Sequence, residues 1–213
     1  MAAAAEEFGL GRRTGLEIPE SSGRLAIPEV REELTGDTGW YAADTLLAGF
    51  GQGDNRFTPV QLANYAATIA NGGTLYSLSF LRAIRSSDFS EEVYTHEPEV
   101  LNVIEESEYI EIIQEGMRAV SRGRLGTAER VFGDYDTVSV ASKTGTVQIE
   151  GQAANDGAFV AYAPAHDPEI AISIVVEKGG SGAEIMVIAR IVFDHYFRAE
   201  STFFATPYGE MIP

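Results

Sequence analysis

The chain has 213 residues, of which 45% are hydrophobic and 22% charged, a balance that argues against disorder, a collagen-like fibre and a coiled coil. Its 32 acidic and 15 basic side chains give a formal net charge of −17, which argues against binding to nucleic acid or an anionic membrane surface. The absence of cysteine excludes disulfides, thiolate metal sites and cysteine nucleophiles. No segment has the length of a membrane span or the features of a signal peptide, so we expect the chain itself to be soluble and without an anchor.

Helix signals begin at the first residues. Four alanines and two glutamates within 2–8 favour a helix, and the glycines that follow favour its end. No capping residue precedes this helix, so we expect the sequence to begin inside a longer polypeptide. From there to about residue 53 the sequence is rich in Gly, Pro and Thr, which predicts an irregular stretch with Trp40 and Tyr41 as anchors.

The clearest helix is predicted at 58–71. Thr58 is a good N-cap, Gln61 completes a capping box with it, and two glycines after residue 71 end the helix. The next segment, 74–84, alternates enough to predict a strand or hairpin. Segment 86–106 is acidic, which predicts an exposed excursion.

A second helix is predicted at 107–121, where apolar side chains recur at helical spacing. Gly116 lies on the same face. Because glycine in mid-helix costs about 1 kcal/mol relative to alanine, we expect a close packing contact there. The apolar stripe consists of Tyr109, Ile112, Ile113, Met117 and Val120.

Three strands and a covering helix are predicted in the last third of the chain. The strands are expected at 137–148, 157–163 and 169–177, and a glycine-rich turn then leads to a helix at 183–198. The predicted fold class is therefore α+β, with an antiparallel sheet and flanking helices. The helix side chains expected to face the sheet are Ile185, Ile188, Ala189, Ile191, Val192 and Tyr196.

Chemistry is concentrated in the tetrapeptide Lys143-Thr144-Gly145-Thr146, on the first of these strands. On an edge strand, Lys143 would supply a fixed positive charge, and Thr144 and Thr146 would add hydroxyl donors. Gly145 would let a ligand lie against the backbone, and the edge N–H groups that follow could hold a developing oxyanion. Alone, the tetrapeptide is equally compatible with an exposed strand lysine among solvated threonines.

Other polar groups are predicted to be structural. We expect turns or connections at 49–53, 134–136 and 166–167, and at Lys178, for which contact with a ligand at the rim of a site is a minor alternative. None of these has the spacing of a phosphate loop, a calcium loop or a catalytic pair, so we predict no cofactor and no metal.

Seven short segments, in order and spread over nearly the whole chain, resemble the C-terminal half of the transpeptidase domain of class B penicillin-binding proteins. The lysine segment VASKTGTVQ is similar to the family pattern VAGKTGTAQ. Agreement of several ordered segments is far more specific than the tetrapeptide alone. The segments are 8–20 (FGLGRRTGLEIPE), 48–53 (AGFGQG), 58–63 (TPVQLA), 70–73 (ANGG), 126–128 (GTA), 140–148 (VASKTGTVQ) and 158–164 (AFVAYAP).

The resemblance implies a serine D,D-transpeptidase that cross-links peptidoglycan at the extracytoplasmic face of the cell membrane and is acylated by β-lactams. It implies a penicillin-binding-protein or β-lactamase-like fold, here incomplete. Lys143 would tune the local electrostatics, and Thr144, Gly145 and Thr146 would bind the terminal carboxylate of a stem peptide or a β-lactam. The backbone N–H of Thr146 would form half of the oxyanion hole.

The family's two other motifs do not occur in this sequence. No serine stands three residues before either lysine, because those positions are Val140 and Val175, and no asparagine belongs to an S-x-N motif. The resemblance therefore implies that 1–213 is the C-terminal part of a transpeptidase domain, without the part that bears the nucleophile. We expect such a chain to be inactive alone, and to self-associate or pair with the missing N-terminal part.

Two other functions stay open. One is a catalytically silent module of the same fold that binds or senses ligands, and the other is an enzyme related to serine β-lactamases. The sequence upstream separates the first from the enzyme, because an S-x-x-K serine favours catalysis and its loss favours binding alone.

Overall fold

The computed structural model describes residues 2–149 and 151–197, and the chain forms two compact units that divide between Ile112 and Ile113. All strand pairs in the described ranges are antiparallel, and the α+β class is as predicted. No helix in these ranges has the length and hydrophobicity needed to cross a membrane. The elements in chain order are α1 (Ala2–Glu7), α2 (Pro28–Thr35), α3 (Ala42–Gly49), α4 (Pro59–Ala70), β1 (Thr74–Tyr76), β2 (Ala83–Arg85), β3 (Glu92–Thr95), β4 (Val100–Val103), α5 (Ser107–Arg122), α6 (Glu129–Phe132), β5 (Ala141–Val147), β6 (Asp156–Ala163), β7 (Ile170–Val176) and α7 (Gly182–Tyr196).

Helix α4 organises the first unit and begins as predicted. The Thr58 hydroxyl accepts the Gln61 N–H, and the Gln61 side chain accepts the Thr58 N–H at 2.8 Å, which forms the capping box. The Gln61 amide also donates to the carbonyls of Arg12 and Ser22, at 2.6 and 2.7 Å. This buried side chain therefore caps the helix and fixes the loop that follows α1.

The prediction of an irregular stretch to residue 53 is wrong, because α2 and α3 lie within it. Neither helix buries a residue, so no apolar face of either helix packs into a core. Polar contacts hold them instead: the Arg31 guanidinium lies 2.8 Å from Asp44 and 3.3 Å from Asp54. It also lies 5.4 Å from the ring centre of the half-buried Trp40, whereas Tyr41 is 64% exposed and does not act as an anchor.

The segment after α4 forms two short strand pairs. Strand β1 pairs with β4, and β2 pairs with β3, so 74–84 holds two strands that do not pair with each other. The prediction of an excursion at 86–106 is wrong for the backbone, because this segment contains the strands β3 and β4. Its side chains are mostly exposed, which explains why an acidic sequence can form strands there.

Glu17 ties the loop after α1 to the segment that follows β1. Its carboxylate accepts hydrogen bonds from the Ser79 hydroxyl and, at 3.0 Å, from the Phe80 N–H. These contacts, that of Ser79 first, lower the pKa of Glu17 from 4.5 to about 2. Since the folded-state pKa is the lower one, the stabilisation is present above pH 4.5 and is lost as the pH falls toward 2.

We therefore expect the Glu17 carboxyl carbon, followed by NMR, to titrate with a midpoint near 2, and Ser79→Ala to raise that midpoint. Ser87→Ala, at an exposed serine of the same unit, is the matched control and is expected to leave it unchanged. A midpoint near 4.5 in the unmodified chain would contradict the contact.

The second unit is a three-stranded meander covered by α7. Strands β6 and β7 lie within a residue of their predicted limits, while β5 begins at Ala141 rather than 137. Isoleucines at alternate positions of β7, Ile170, Ile172 and Ile174, pack against the core. The buried core of this unit comprises Ala128, Phe132, Tyr135, Val138, Val140, Phe159, Ala161, Ala163, Ile185, Met186, Ala189 and Phe193.

Helix α7 forms as predicted, but its buried face differs. Ile188, Val192 and Tyr196, which were expected to face the sheet, are 41%, 39% and 46% exposed. The buried stripe runs from Gly182 through Ile185, Met186 and Ala189 to Phe193, so Ile185 and Ala189 are buried as predicted. Glycine at the start of this stripe lets the first turn approach the sheet closely. Residue 198, the expected end of the helix, lies outside the described residues.

Helix α5 also forms as predicted, yet most of its apolar stripe is not covered. Tyr109, Ile112 and Ile113 are 59%, 64% and 36% exposed, and Met117 is buried. An added side chain at Gly116 would meet nothing within 4 Å, so the expected packing contact is wrong. Helical periodicity shows which residues share a face, but it does not show that another element covers that face.

Candidate functional site

The Lys-Thr-Gly-Thr tetrapeptide lies on an edge strand. Strand β5 pairs with β6, which pairs with β7, and no strand within the described ranges pairs with the other side of β5. An edge strand leaves backbone N–H and C=O groups able to bind an extended ligand. This is the position on which the predicted chemistry of the tetrapeptide depends.

The lysine and the threonines point to opposite faces of this strand. Lys143 lies opposite Val160, on the face away from α7, and its side chain is exposed. Its Nζ donates to the carbonyl of Thr144 at 2.5 Å. Thr144 lies opposite Phe159, which packs in the core beneath α7, and Thr146 shares that face. The side chains of the tetrapeptide therefore project from both faces of the sheet, at its edge.

Two hydroxyl pairs join β5 to the end of α5 and the loop after it. The Ser121 and Ser142 hydroxyls lie 2.8 Å apart, and both residues have 0% exposure. The Thr127 and Thr144 hydroxyls also lie 2.8 Å apart, at the surface. Positions 142 and 144 are on the same face of the strand, one on each side of Lys143.

The first turn of α7 rests on the backbone of the tetrapeptide. A Cβ added to Gly182 would lie 2.1 Å from the Ala158 carbonyl oxygen and 2.6 Å from the Gly145 nitrogen. Only glycine allows this approach. Arg130 donates to the carbonyl of Ala183 in the same turn, so a guanidinium also lies at this end of α7.

The structure brings all four predicted site residues together on one strand, and it adds residues that the sequence reasoning missed. Thr127 belongs to the GTA segment, which was noticed only as part of a resemblance. Ser142 stands where the family pattern has glycine, a visible signal whose partner Ser121 could not be found from spacing. Nothing in the sequence marked Gly182 as more than a turn residue.

The turn assignments agree with the structure. Lys178 adopts a left-handed conformation with φ of 56° just after β7, and its N–H donates to the buried Asp156 carboxylate at 2.8 Å. His166 and Asp167 lie in the connection between β6 and β7. Within 2–149 and 151–197, no cluster of three or more His, Asp or Glu side chains could hold a metal ion.

The fold and the lysine strand are those of one family. A family model described as the penicillin-binding protein transpeptidase domain matches residues 1–194, and the chain therefore belongs to that family. Among curated relatives, the peptidoglycan D,D-transpeptidase MrdA of Escherichia coli strain K12 is 29% identical over 206 residues, covering 89% of this chain and 32% of MrdA. The chain thus spans about a third of the length of that relative.

Solved structures agree with this assignment. Pseudomonas aeruginosa PBP2 in complex with WCK 5153 is similar with a TM-score of 0.78 and 28% identity, over 96% of this chain and 46% of that one. The imipenem acyl-enzyme complex of penicillin-binding protein A from M. tuberculosis has a TM-score of 0.71 and 26% identity, over 91% and 41% of the two chains. The fold is therefore that of penicillin-binding proteins.

Proposed function

We propose that this chain supplies the carboxylate-binding wall of a peptidoglycan D,D-transpeptidase site. The observation that carries the proposal is the placement of Lys143, Thr144, Gly145 and Thr146 on a strand edge, in a chain of the transpeptidase family. Lys143 is the positive charge of the strand, and the two threonine hydroxyls are donors for a terminal carboxylate. The N–H of Thr146 would help to hold the oxyanion that forms during acyl transfer.

The nucleophile must come from elsewhere. In the proposed reaction a serine oxygen attacks the penultimate D-alanine carbonyl, the terminal D-alanine leaves, and an amine of a second stem peptide then takes the acyl group. This sequence has no S-x-x-K serine and no S-x-N motif. We therefore propose that 1–213 is the C-terminal part of a transpeptidase domain whose N-terminal part bears the serine, and that this chain alone is inactive.

The substrate suggests where the complete protein works. Peptidoglycan is assembled outside the cytoplasmic membrane, so the proposed site would lie on that side of the membrane. Its ligand there would be a stem peptide or a β-lactam that mimics one. A silent binding module of the same fold is the second candidate, favoured by the absence of the nucleophile from this chain. An S-x-x-K motif encoded upstream of Ala2 would support the enzyme, and its absence would support the binding module.

Incubation of the isolated chain with a fluorescent penicillin tests the assignment of the nucleophile. We expect no covalent label in the mass spectrum, whereas penicillin-binding protein A from M. tuberculosis, which forms an acyl-enzyme complex with imipenem, should be labelled in parallel. A stoichiometric adduct on one serine of this chain would show that the nucleophile is present, and the proposal would then be wrong.

The carboxylate-binding wall, residues 143–146, is tested separately by NMR titration with a short peptide that ends in D-Ala-D-Ala. Amide shifts at millimolar peptide should concentrate at Lys143–Thr146 and should be lost in Lys143→Met. Arg85→Met, at an exposed cation of the first unit, serves as the control for a simple change of charge. Amide shifts that are absent, or that are unchanged in Lys143→Met, would contradict the assignment of these residues as the carboxylate-binding wall.

A further inference from the structure

The two hydroxyl pairs come from one continuous segment, 121–127, and contact β5 on either side of Lys143. The inner pair, Ser121 with Ser142, is fully buried, and the outer pair, Thr127 with Thr144, lies at the surface. The strand is therefore held at two positions on one face while Lys143 projects from the other. This arrangement has a consequence for the direction of the Thr144 hydroxyl.

The backbone around Thr127 is fixed independently of that contact. A Cβ added to Gly126 would lie 2.2 Å from the Val120 carbonyl oxygen, so the loop lies directly against the end of α5. The Ala128 N–H donates to the same carbonyl at 3.1 Å, and Ala128 is fully buried. Thr127 lies between these two residues, so the backbone that carries its hydroxyl is held against the end of α5.

We propose that Ser121 and Thr127 are positioning residues, with Thr127 orienting the Thr144 hydroxyl toward a ligand carboxylate; this role rests on the proposed function. A threonine hydroxyl has one hydrogen to donate and two lone pairs to accept. When Thr127 donates to Thr144, the Thr144 oxygen is used as an acceptor and its own hydrogen is free for the carboxylate. Thr144 then enters the site already aligned as a donor, which lowers the cost of binding.

The inner pair has a supporting role. Ser142 replaces the glycine of the family pattern, and its buried hydroxyl has Ser121 as its partner. We infer that this pair fixes the position of the start of β5 against the end of α5, so that the outer pair can form. Ser121→Ala alone leaves the buried Ser142 hydroxyl without this partner. Ser121→Ala combined with Ser142→Gly removes both hydroxyls.

The test uses the full chain and isosteric variants. Three-bond couplings from the Thr144 methyl carbon to the backbone nitrogen and carbonyl carbon report the side-chain rotamer. We expect a single rotamer in the unmodified chain and in Thr127→Ser, and averaged couplings in Thr127→Val. Thr38→Val, at an exposed threonine of the first unit, is the matched control. Ser121→Ala should broaden the Thr144 signals, and they should stay broad when Ser142→Gly is added, because the pair is then still missing.

Binding of the D-Ala-D-Ala peptide gives the second readout. Loss of one aligned hydrogen bond to a charged group predicts affinity about tenfold weaker in Thr127→Val, with Thr127→Ser close to the unmodified chain. A single Thr144 rotamer in Thr127→Val would overturn the positioning role. Averaged couplings with no peptide binding to any variant would support that role and overturn the proposed ligand instead.

Discussion

Replacing Gly182 by alanine is expected to lower the free energy of unfolding by about 3 kcal/mol or more, a large effect for adding one methyl group. The new Cβ would lie 2.1 Å from the Ala158 carbonyl oxygen and 2.8 Å from that of Gly145. Both are backbone atoms of paired strands and cannot rotate away. The first turn of α7 must then lift from the sheet, which weakens the packing of Ile185 and Met186.

Urea unfolding followed by circular dichroism measures this effect. Gly116→Ala is the matched control, because that glycine lies in mid-helix, is exposed and has nothing within 4 Å of an added Cβ. It is expected to stabilise the chain by about 0.5 to 1 kcal/mol through helix propensity. An unfolding midpoint of Gly182→Ala equal to that of the unmodified chain would contradict the contact.

The isolated chain is expected to form dimers through the free edge of β7. Strand β7 consists of seven residues without charge or proline, and within the described ranges it pairs only with β6. Ile170, Ile172 and Ile174 pack toward the core, while Val175 on the other face is 42% exposed. Such an edge, uncharged and regular, is a ready template for antiparallel pairing with a second copy.

Val175→Lys tests this expectation by placing a charge beside the edge. Sedimentation over a concentration series should show a dimer for the unmodified chain and a monomer for the variant. Val93→Lys adds the same charge at a 69% exposed position of β3 and is expected to leave the dimer intact. A monomer at every concentration of the unmodified chain would exclude pairing through β7.

Elements with local signals could be predicted from the sequence. Thr58 and Gln61 fix the start of α4 through bonds within one turn, and alternating isoleucines mark β7. Helix α2 also has local signals, Pro28 at its start and Gly36 in the left-handed conformation at its end. The ion pairs of Arg31, by contrast, reach carboxylates 13 and 23 residues away in the sequence, which no local pattern shows. The exposure of Tyr109 could not be predicted from the sequence either, because it depends on whether another element covers that face of α5.

The same distinction applies to the candidate site. Lys143, Thr144, Gly145 and Thr146 are contiguous, so a short pattern identified them. Thr127 lies 17 residues from Thr144, and Ser121 lies 21 from Ser142, with a helix and a turn between them. No spacing rule links such positions, and only the packing of the loop on α5 brings their hydroxyls together.

The alternation of β5 restricts how a ligand can approach. Lys143 projects from one face of the sheet and Thr144 from the other, so a molecule lying flat on either face could reach only one of them. A ligand that contacts both must lie in the plane of the sheet, alongside the strand, with its own backbone parallel to the edge. Compounds that bind here are therefore expected to be flat and elongated, with hydrogen-bonding groups spaced like those of a β-strand.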